Sequence, residues 1–360
     1  MDEPSEGNAV ETLDIGLCRE AHQMGCLIGK RFSGLIKSRV ATDLTLQKQL
    51  LPFARTPRAK SLLEALETSN RERYPRYWDE LLGTAVGSGV PFLHIMLLNF
   101  RKEILPFIPN ERIKEKEEAV DDDCSDVLVV DESMAFAAHN EDANVALLGH
   151  TFLVRAELPN GLSFTAYTYA GELPSCAFGF NSNGLAFTLN SVPPSNDEIA
   201  AGGVGRNFVS RDLLEATGLA DAVNRIRSPN VSVGHCYNLV DVRNRRILNV
   251  ETTSQNRFSV REVGATPFFH ANMYLHLQVK QLQDENSICR QRRAALLSVE
   301  SKEEALQILG DAADEKFPIF MTGPTLHTLC TVLIDLDEQT MTIFKGNPKK
   351  REISHVFRID

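Results

Sequence analysis

The chain changes its hydrophobic period once. From residue 11 to about 105 the period is helical. Leu17, Met24, Ile28, Phe32, Ile36 and Val40 recur at spacings of four and seven, which predicts one apolar stripe along helix. SLLEALETSNRERYPRYWDELLGTAVGSG continues the pattern, and PFLHIMLLNFRKEIL is apolar on most sides, as a buried helix is. Residues 109–123, PNERIKEKEEAVDDD, break it: ten of the fifteen are charged. Such a run buries too little apolar surface to order itself and is expected to be an exposed linker.

From Cys124 the period is two. SDVLVV and MAFAAHN read as strands joined at Asp131-Glu132-Ser133. TFLVRAEL and LSFTAYTYA flank Pro159-Asn160-Gly161, and CAFGF and LAFTLNSV flank Asn183-Gly184, both strong hairpin signals. YNLVDV with RILNVE, and TLCTVLIDL with TMTIFKG, complete the set. Helical patterns lie between them at about 207–227, 274–299 and 302–310. Antiparallel hairpins with segregated helices mean α+β, and the hairpins are too many for one modest sheet. The expected architecture is two stacked antiparallel sheets with helices outside, preceded by an N-terminal helical segment.

Composition narrows the function classes. The 360 residues carry 48 Asp and Glu against 38 Lys and Arg, a net charge of −10. That balance argues against nucleic acid or an anionic membrane as the main partner. No apolar run approaches the ~18 residues of a membrane span, and MDEPSEGNAV lacks the apolar stretch of a signal peptide, so a cytoplasmic protein is expected. The seven cysteines are scattered with no CxxC pair, which argues for reduced thiols rather than a disulfide framework or a zinc cluster. No metal-ligand spacing appears and no cofactor is implied. The Gly202-Gly203-Val204-Gly205 run lacks the strand and spacing of a phosphate loop and reads as a flexible loop.

The candidate chemistry sits where the linker meets the first strand. A hairpin centred near residue 132 brings Cys124 opposite residues of about 139–142, His139-Asn140-Glu141-Asp142. Spacing alone leaves two readings open: a thiol facing a polar cluster, or a buried cysteine beside an ordinary turn.

Asp123-Cys124-Ser125-Asp126 followed by Ala138-His139-Asn140-Glu141-Asp142 resembles the choloylglycine-hydrolase-like N-terminal-nucleophile (Ntn) hydrolases, in the isopenicillin-N acyltransferase branch that includes N-β-alanyl-amine hydrolases. GFNSNGLAFTLNSV, FFHANMY, SICRQRRAALL and TLCTVLIDLDEQTMTIFKGNP extend the resemblance, in order, over most of the chain. It implies a four-layer αββα sandwich and a precursor that cuts itself between Asp123 and Cys124. Residues 1–123 would become a small helical subunit that partners a catalytic subunit, 124–360. The freed α-amine of Cys124, titrating at about 7.7–8.0, would serve as base for its own thiol.

The same resemblance implies that Asp142 holds the new α-ammonium, that Asn190 lines the site, and that Asn272 stabilises the oxyanion. Arg290 would orient the thiol network or a substrate carboxylate. Asn140 is implied as structural, and His139, where bile-salt hydrolases carry arginine, as a packed, hydrogen-bonded side chain. Asp123 stands where the acyltransferase has glycine, which bears on self-cleavage. Small-molecule amides are the implied substrates, with water or a second amine accepting the acyl group. A family member without catalysis, serving as a binding protein, is the alternative.

Overall fold

The computed structural model describes residues 10–109, 123–282 and 284–359. The expected linker, 109–123, therefore falls almost wholly outside the described residues. The described strands form two sheets. Sheet one takes β1 (Thr12–Leu17), β4 (Thr151–Glu157), β5 (Ser163–Tyr169), β6 (Phe178–Asn181), β7 (Leu185–Ser191), β8 (His235–Asp241), β9 (Arg246–Thr253) and β10 (Arg257–Glu262), in that order. Sheet two runs β11 (Phe268–His270), β2 (Ser125–Val130), β3 (Ala135–Asn144), β12 (Leu326–Asp335), β13 (Thr340–Phe344) and β14 (Ile353–Arg358).

The side chains sort into three apolar layers. Leu128, Ala137, Val332 and Ile343 of sheet two meet Leu153, Tyr167, Phe178 and Ala186 of sheet one. The outer face of sheet one, with Phe152, Phe164, Phe187 and Val250, is covered by helices from residues 21–107 and 206–227. The outer face of sheet two, with Val127, Val129, Phe136 and Ala138, is covered by Glu285–Ala294 and Lys302–Leu309. The result is the expected αββα sandwich. Central strands such as β2 and β3 are buried on both faces and so read as near-continuous apolar runs, whereas the edge strand β10 alternates. All five expected hairpins form.

Three expectations need correction. Residues 12–17 are not helical: β1 pairs in parallel with β4 and covers the edge of sheet one. Leu13 and Ile15 point to the core while Leu17 is half exposed, so the helical stripe starts at Met24. Residues 274–282 and 284 are not helical either. The buried carboxylate of Glu251 accepts the main-chain N–H groups of Leu275, His276 and Leu277 at 2.7, 3.1 and 2.7 Å, which takes the donors a helix would use. The glycine run at 202–205 is packed rather than loose, since Val204 is buried and bridges to Val231.

The N-terminal helices are held close by glycine. A methyl group at Gly25, in helix Ala21–Arg31, would lie 1.9 Å from the Glu80 carbonyl oxygen, and one at Gly83, in helix Pro75–Ser88, 2.1 Å from that of His22. The two backbones touch with no room for a side chain. Gly25→Val and Gly83→Val are each expected to cost about 3 kcal/mol, at the upper end of overpacking penalties. Gly34→Ala, in helix Ser33–Thr42 with open space around its added methyl, should instead stabilise by about 1 kcal/mol. Chemical denaturation of the three variants checks this; an unchanged midpoint for both valine variants would refute the close packing.

Candidate active site

The hairpin of β2 and β3 is fixed at its turn by Asp131, whose carboxylate accepts the N–H groups of Ser133 and Met134 at 2.6 and 2.8 Å. The register pairs Ser125 with Asn140 and Asp126 with His139. Cys124 consequently arrives beside Glu141, and the Asp123 N–H donates to the Asp142 carbonyl at 3.1 Å. On the other side of β3, the ladder with β12 slips between Thr328 and Cys330, a bulge at the level of Asp142.

Strand alternation divides the polar groups between two faces. Toward the other sheet, the Cys124 thiol lies 3.7 Å from Glu141 Oε2 and 3.8 Å from the Asp142 carbonyl oxygen. His139 bridges two carboxylates, Nδ1 to Asp126 at 2.8 Å and Nε2 to Glu141 at 3.0 Å. The Tyr169 hydroxyl donates to Glu141 Oε1, and the Thr188 hydroxyl donates to Asp126 at 2.8 Å. All of these side chains are buried. Burial opposes a charge on His139, but the two carboxylates prevail and push its pKa up to about 10, so the ring is an imidazolium at neutral pH. Asp126, which burial alone would raise, is held below the usual carboxylate range by that imidazolium.

Toward the helices, Arg290 is fully buried and grips the segment where cleavage is expected. One guanidinium nitrogen donates to the carbonyl oxygens of Asp123 and Cys124 at 2.7 and 2.9 Å and to the Ser125 hydroxyl at 2.8 Å. The other donates to the Asp123 carboxylate and to Asn272 Oδ1, both at 3.0 Å. Asn286 also donates to the Asp123 carboxylate. Asp284 starts the helix that carries Arg290, accepting the Ser287 N–H at 2.8 Å. Asn272 Nδ2 donates to the Ser191 carbonyl at 2.9 Å.

Asp142 is buried on this face. One oxygen accepts the Thr328 hydroxyl and the other has no hydrogen-bond partner among the described residues. Burial raises its pKa to about 7 against the lowering effects of Thr328 and Arg290.

Cys124, Asp123, Asp142, Asn272 and Arg290 are thus brought together. Asn190 reaches them only indirectly, through Asn238 at 3.4 Å, Thr188 and Asp126, and its Nδ2 is buried without a partner among the described residues. His139 is a packed, hydrogen-bonded side chain, as its departure from the bile-salt hydrolases implies. Sequence reasoning passed over Glu141, Asp126, Tyr169 and Thr328. The first two were findable, because a hairpin register that puts Cys124 near Glu141 also puts Asp126 beside His139.

Cys124, His139 and Glu141 offer ligand atoms within 4.8 Å of one another, a donor set that could hold a metal ion. Both ring nitrogens of His139 are hydrogen-bonded to carboxylates, and an imidazolium has no lone pair to give. The other buried thiols are poor nucleophiles: burial pushes Cys176, Cys236 and Cys330 up in pKa.

The profile of the acyl-coenzyme A:6-aminopenicillanic acid acyl-transferase family matches residues 129–350, well over half of the chain. The chain belongs to this family. By its description that is a family of acyl-transferases, and the chain is an enzyme of it. A curated relative, the beta-alanyl-dopamine/carcinine hydrolase of Drosophila melanogaster, is 24% identical over 361 residues, spanning 92% of either chain. Two crystal structures of variants of conjugated bile acid hydrolase from Clostridium perfringens superpose with TM-scores of 0.37 and 0.36 at 11% and 10% identity. Each covers 66% of this chain and 97% or 92% of its own. No described helix is long and apolar enough to cross a membrane.

The raised pKa of Asp142 fixes the sign of one pH effect. The folded chain keeps that proton to about pH 7, while the unfolded chain releases it near its ordinary value of 3.8. Between those values the folded state binds more protons, so this group's contribution to stability falls as pH rises. In a Cys124→Ala background, adding Asp142→Asn should stabilise the chain progressively across that window, by at most about 4 kcal/mol at its upper end. Thermal unfolding of the single and double variants against pH measures the difference. A difference independent of pH would remove the buried, protonated Asp142.

Proposed function

We propose that the chain is a self-processing amidohydrolase that cleaves small N-acyl amines through an acyl-enzyme on Cys124. The observation that carries this reading is the Arg290 guanidinium on the Asp123 carbonyl oxygen, 2.7 Å away, next to a buried thiol on the following residue. Attack by the Cys124 sulfur on that carbonyl carbon puts negative charge on the oxygen Arg290 already holds. Collapse of the adduct breaks the peptide bond, and the Cys124 nitrogen leaves as an amine after taking a proton. Water then hydrolyses the Asp123 thioester. Asp123 itself is anchored by Arg290 and Asn286, so side-chain contacts constrain the bond at the place where the resemblance implies glycine in the acyltransferase.

Turnover would reuse the site. The freed α-amine of Cys124 takes the thiol proton, and the thiolate attacks the substrate amide. Asn272 supplies a second N–H to the oxyanion, its carbonyl oxygen being fixed by Arg290 and its first N–H by Ser191. The α-ammonium, held by Asp142, protonates the leaving amine, and water releases the acid. Asn190 has a buried N–H without a partner among the described residues to offer a substrate polar group. The Drosophila relative acts on beta-alanyl-dopamine and carcinine, which favours β-alanyl amides as substrates and hydrolysis over acyl transfer. Transfer to a second amine would use the same acyl-enzyme.

Residues 1–123 and 124–360 would remain together after the cut. They share one apolar core, and buried pairs join them: Arg39 to Glu172 at 2.6 Å and Glu80 to Arg211 at 3.1 Å.

Denaturing electrophoresis and N-terminal sequencing test the cut: the expected fragment begins Cys-Ser-Asp-Val. Cys124→Ala should stay as one 40.1 kDa chain without turnover, while Cys176→Ala and Cys330→Ala keep both activities. An intact wild-type chain that hydrolyses amides would sink the α-amine mechanism, and one without activity on any amide would support a binding protein instead. Arg290→Ala should block processing. Asn272→Ala should process but lose on the order of 100- to 1,000-fold in kcat, the usual cost of one oxyanion donor. A normally melting Asn272→Ala with near-wild-type kcat would leave Asn272 structural.

A further inference from the structure

The carboxylate beside the nucleophile has no part in the scheme above. Glu141 Oε2 lies 3.7 Å from the Cys124 sulfur, on the face of the hairpin opposite Arg290. An acyl group carried on that sulfur is bonded to an atom in contact with Glu141. Glu141 is already buried, so an uncharged acyl chain placed there gains nothing from its charge. A chain carrying an ammonium would gain a charge-assisted hydrogen bond of about 2.8 Å. With bonds of about 1.5 Å, an ammonium two methylenes from the thioester carbonyl can curl back to a carboxylate that close to the sulfur.

The surroundings fix Glu141 for such a task. His139 holds one oxygen at 3.0 Å, and the Tyr169 hydroxyl donates to the other, so the carboxylate cannot swing away. Asp126, behind His139, makes the three-residue set two carboxylates to one imidazolium, an anionic set. Each carboxylate oxygen can accept more than one donor, so an incoming ammonium need not displace His139 or Tyr169.

We propose that Glu141 is the specificity residue for the acyl half of the substrate and selects short acyl chains that carry a cationic amine. The inference rests on the amidohydrolase reading above and names the substrate class of that same site.

The test uses the processed enzyme with two amides of the same amine, one β-alanyl and one propionyl. They differ only in the ammonium. The wild type should prefer the β-alanyl amide by about 100-fold in kcat/KM, within the range for losing one partner of a buried charge pair. Glu141→Gln keeps the side chain's size and its contact with Tyr169 but removes the charge. Its preference should collapse to a few-fold, chiefly through a higher KM for the β-alanyl amide. Equal wild-type rates on the two amides, or an unchanged preference in Glu141→Gln, would overturn the proposal while leaving the amidohydrolase intact. A Glu141→Gln chain that fails to cut itself would assign the carboxylate to maturation and overturn it too. Absence of turnover on either amide by processed wild type would count against both readings: for Glu141 because its predicted substrate is refused, and for the hydrolase if other N-acyl amines are refused as well.

Discussion

The arrangement of the site depends on one buried guanidinium. Arg290 has no access to water, so each of its N–H groups must find a protein acceptor. It finds them on three separate pieces of chain: the Asp123–Ser125 segment entering β2, Asn272 after β11, and Asn286 and Ser287 on its own helix. The arginine is therefore a template on which the two main-chain carbonyls flanking Cys124 are set. Removing one partner of such a cluster costs more than the contact itself, because the remaining charge is left buried. This constraint also explains why the Asp123 carboxylate is tolerated inside: it answers the arginine at 3.0 Å.

Strand alternation does the rest of the sorting. Because successive side chains leave a strand on opposite faces, four adjacent residues of β3 supply two different environments. Asn140 turns toward the helices, bonding the carbonyls of Leu309 and Ile319 at 2.8 and 3.2 Å, and Asp142 meets Thr328. His139 and Glu141 turn toward the other sheet. The thiol is thus flanked by an arginine–aspartate pair that holds its main chain and by a carboxylate that faces its sulfur. Two carboxylates one residue apart can serve different ends because one is anchored among hydrogen bonds to His139 and Tyr169, while the other is buried beside a single hydroxyl and pushed toward its neutral form.

Much of this was legible before any coordinates. Period-two runs with Asn-Gly and related turns marked the five hairpins, and the hairpin centred near residue 132 already carried Cys124 to the His139–Asp142 segment. Two kinds of information were not local. β1 shows a short alternation, Leu13 and Ile15, inside a region dominated by helical spacing, and only its parallel pairing with β4 reveals it. Residues 274–284 look helical by composition, but a carboxylate from β9, Glu251, claims three of their N–H groups. Tyr169 and Thr328 could not be read at all, since each comes to the site from a distant strand. The family pattern found Arg290, but no spacing could say that it would lie on the Asp123 and Cys124 carbonyls.

The same long-range packing bears on what a cut at residue 123 can change. The helices before the linker are not an appendage laid on a finished domain. Phe32 stacks on Phe152 of β4 with ring centroids 3.6 Å apart, and Trp78 and Phe100 stack with Phe208. Buried ion pairs cross the same boundary, and a buried pair separated from its partner costs several kcal/mol. Breaking one peptide bond therefore removes a covalent link without removing the contacts that hold the layers. What it releases is local: the Asp123 end no longer shares a bond with Cys124, while Arg290 still holds the Cys124 carbonyl and the Ser125 hydroxyl. A new amine can thus form in a site whose other walls stay where the uncut chain put them, which is the geometric condition for one cysteine to serve first on its own chain and then on a substrate.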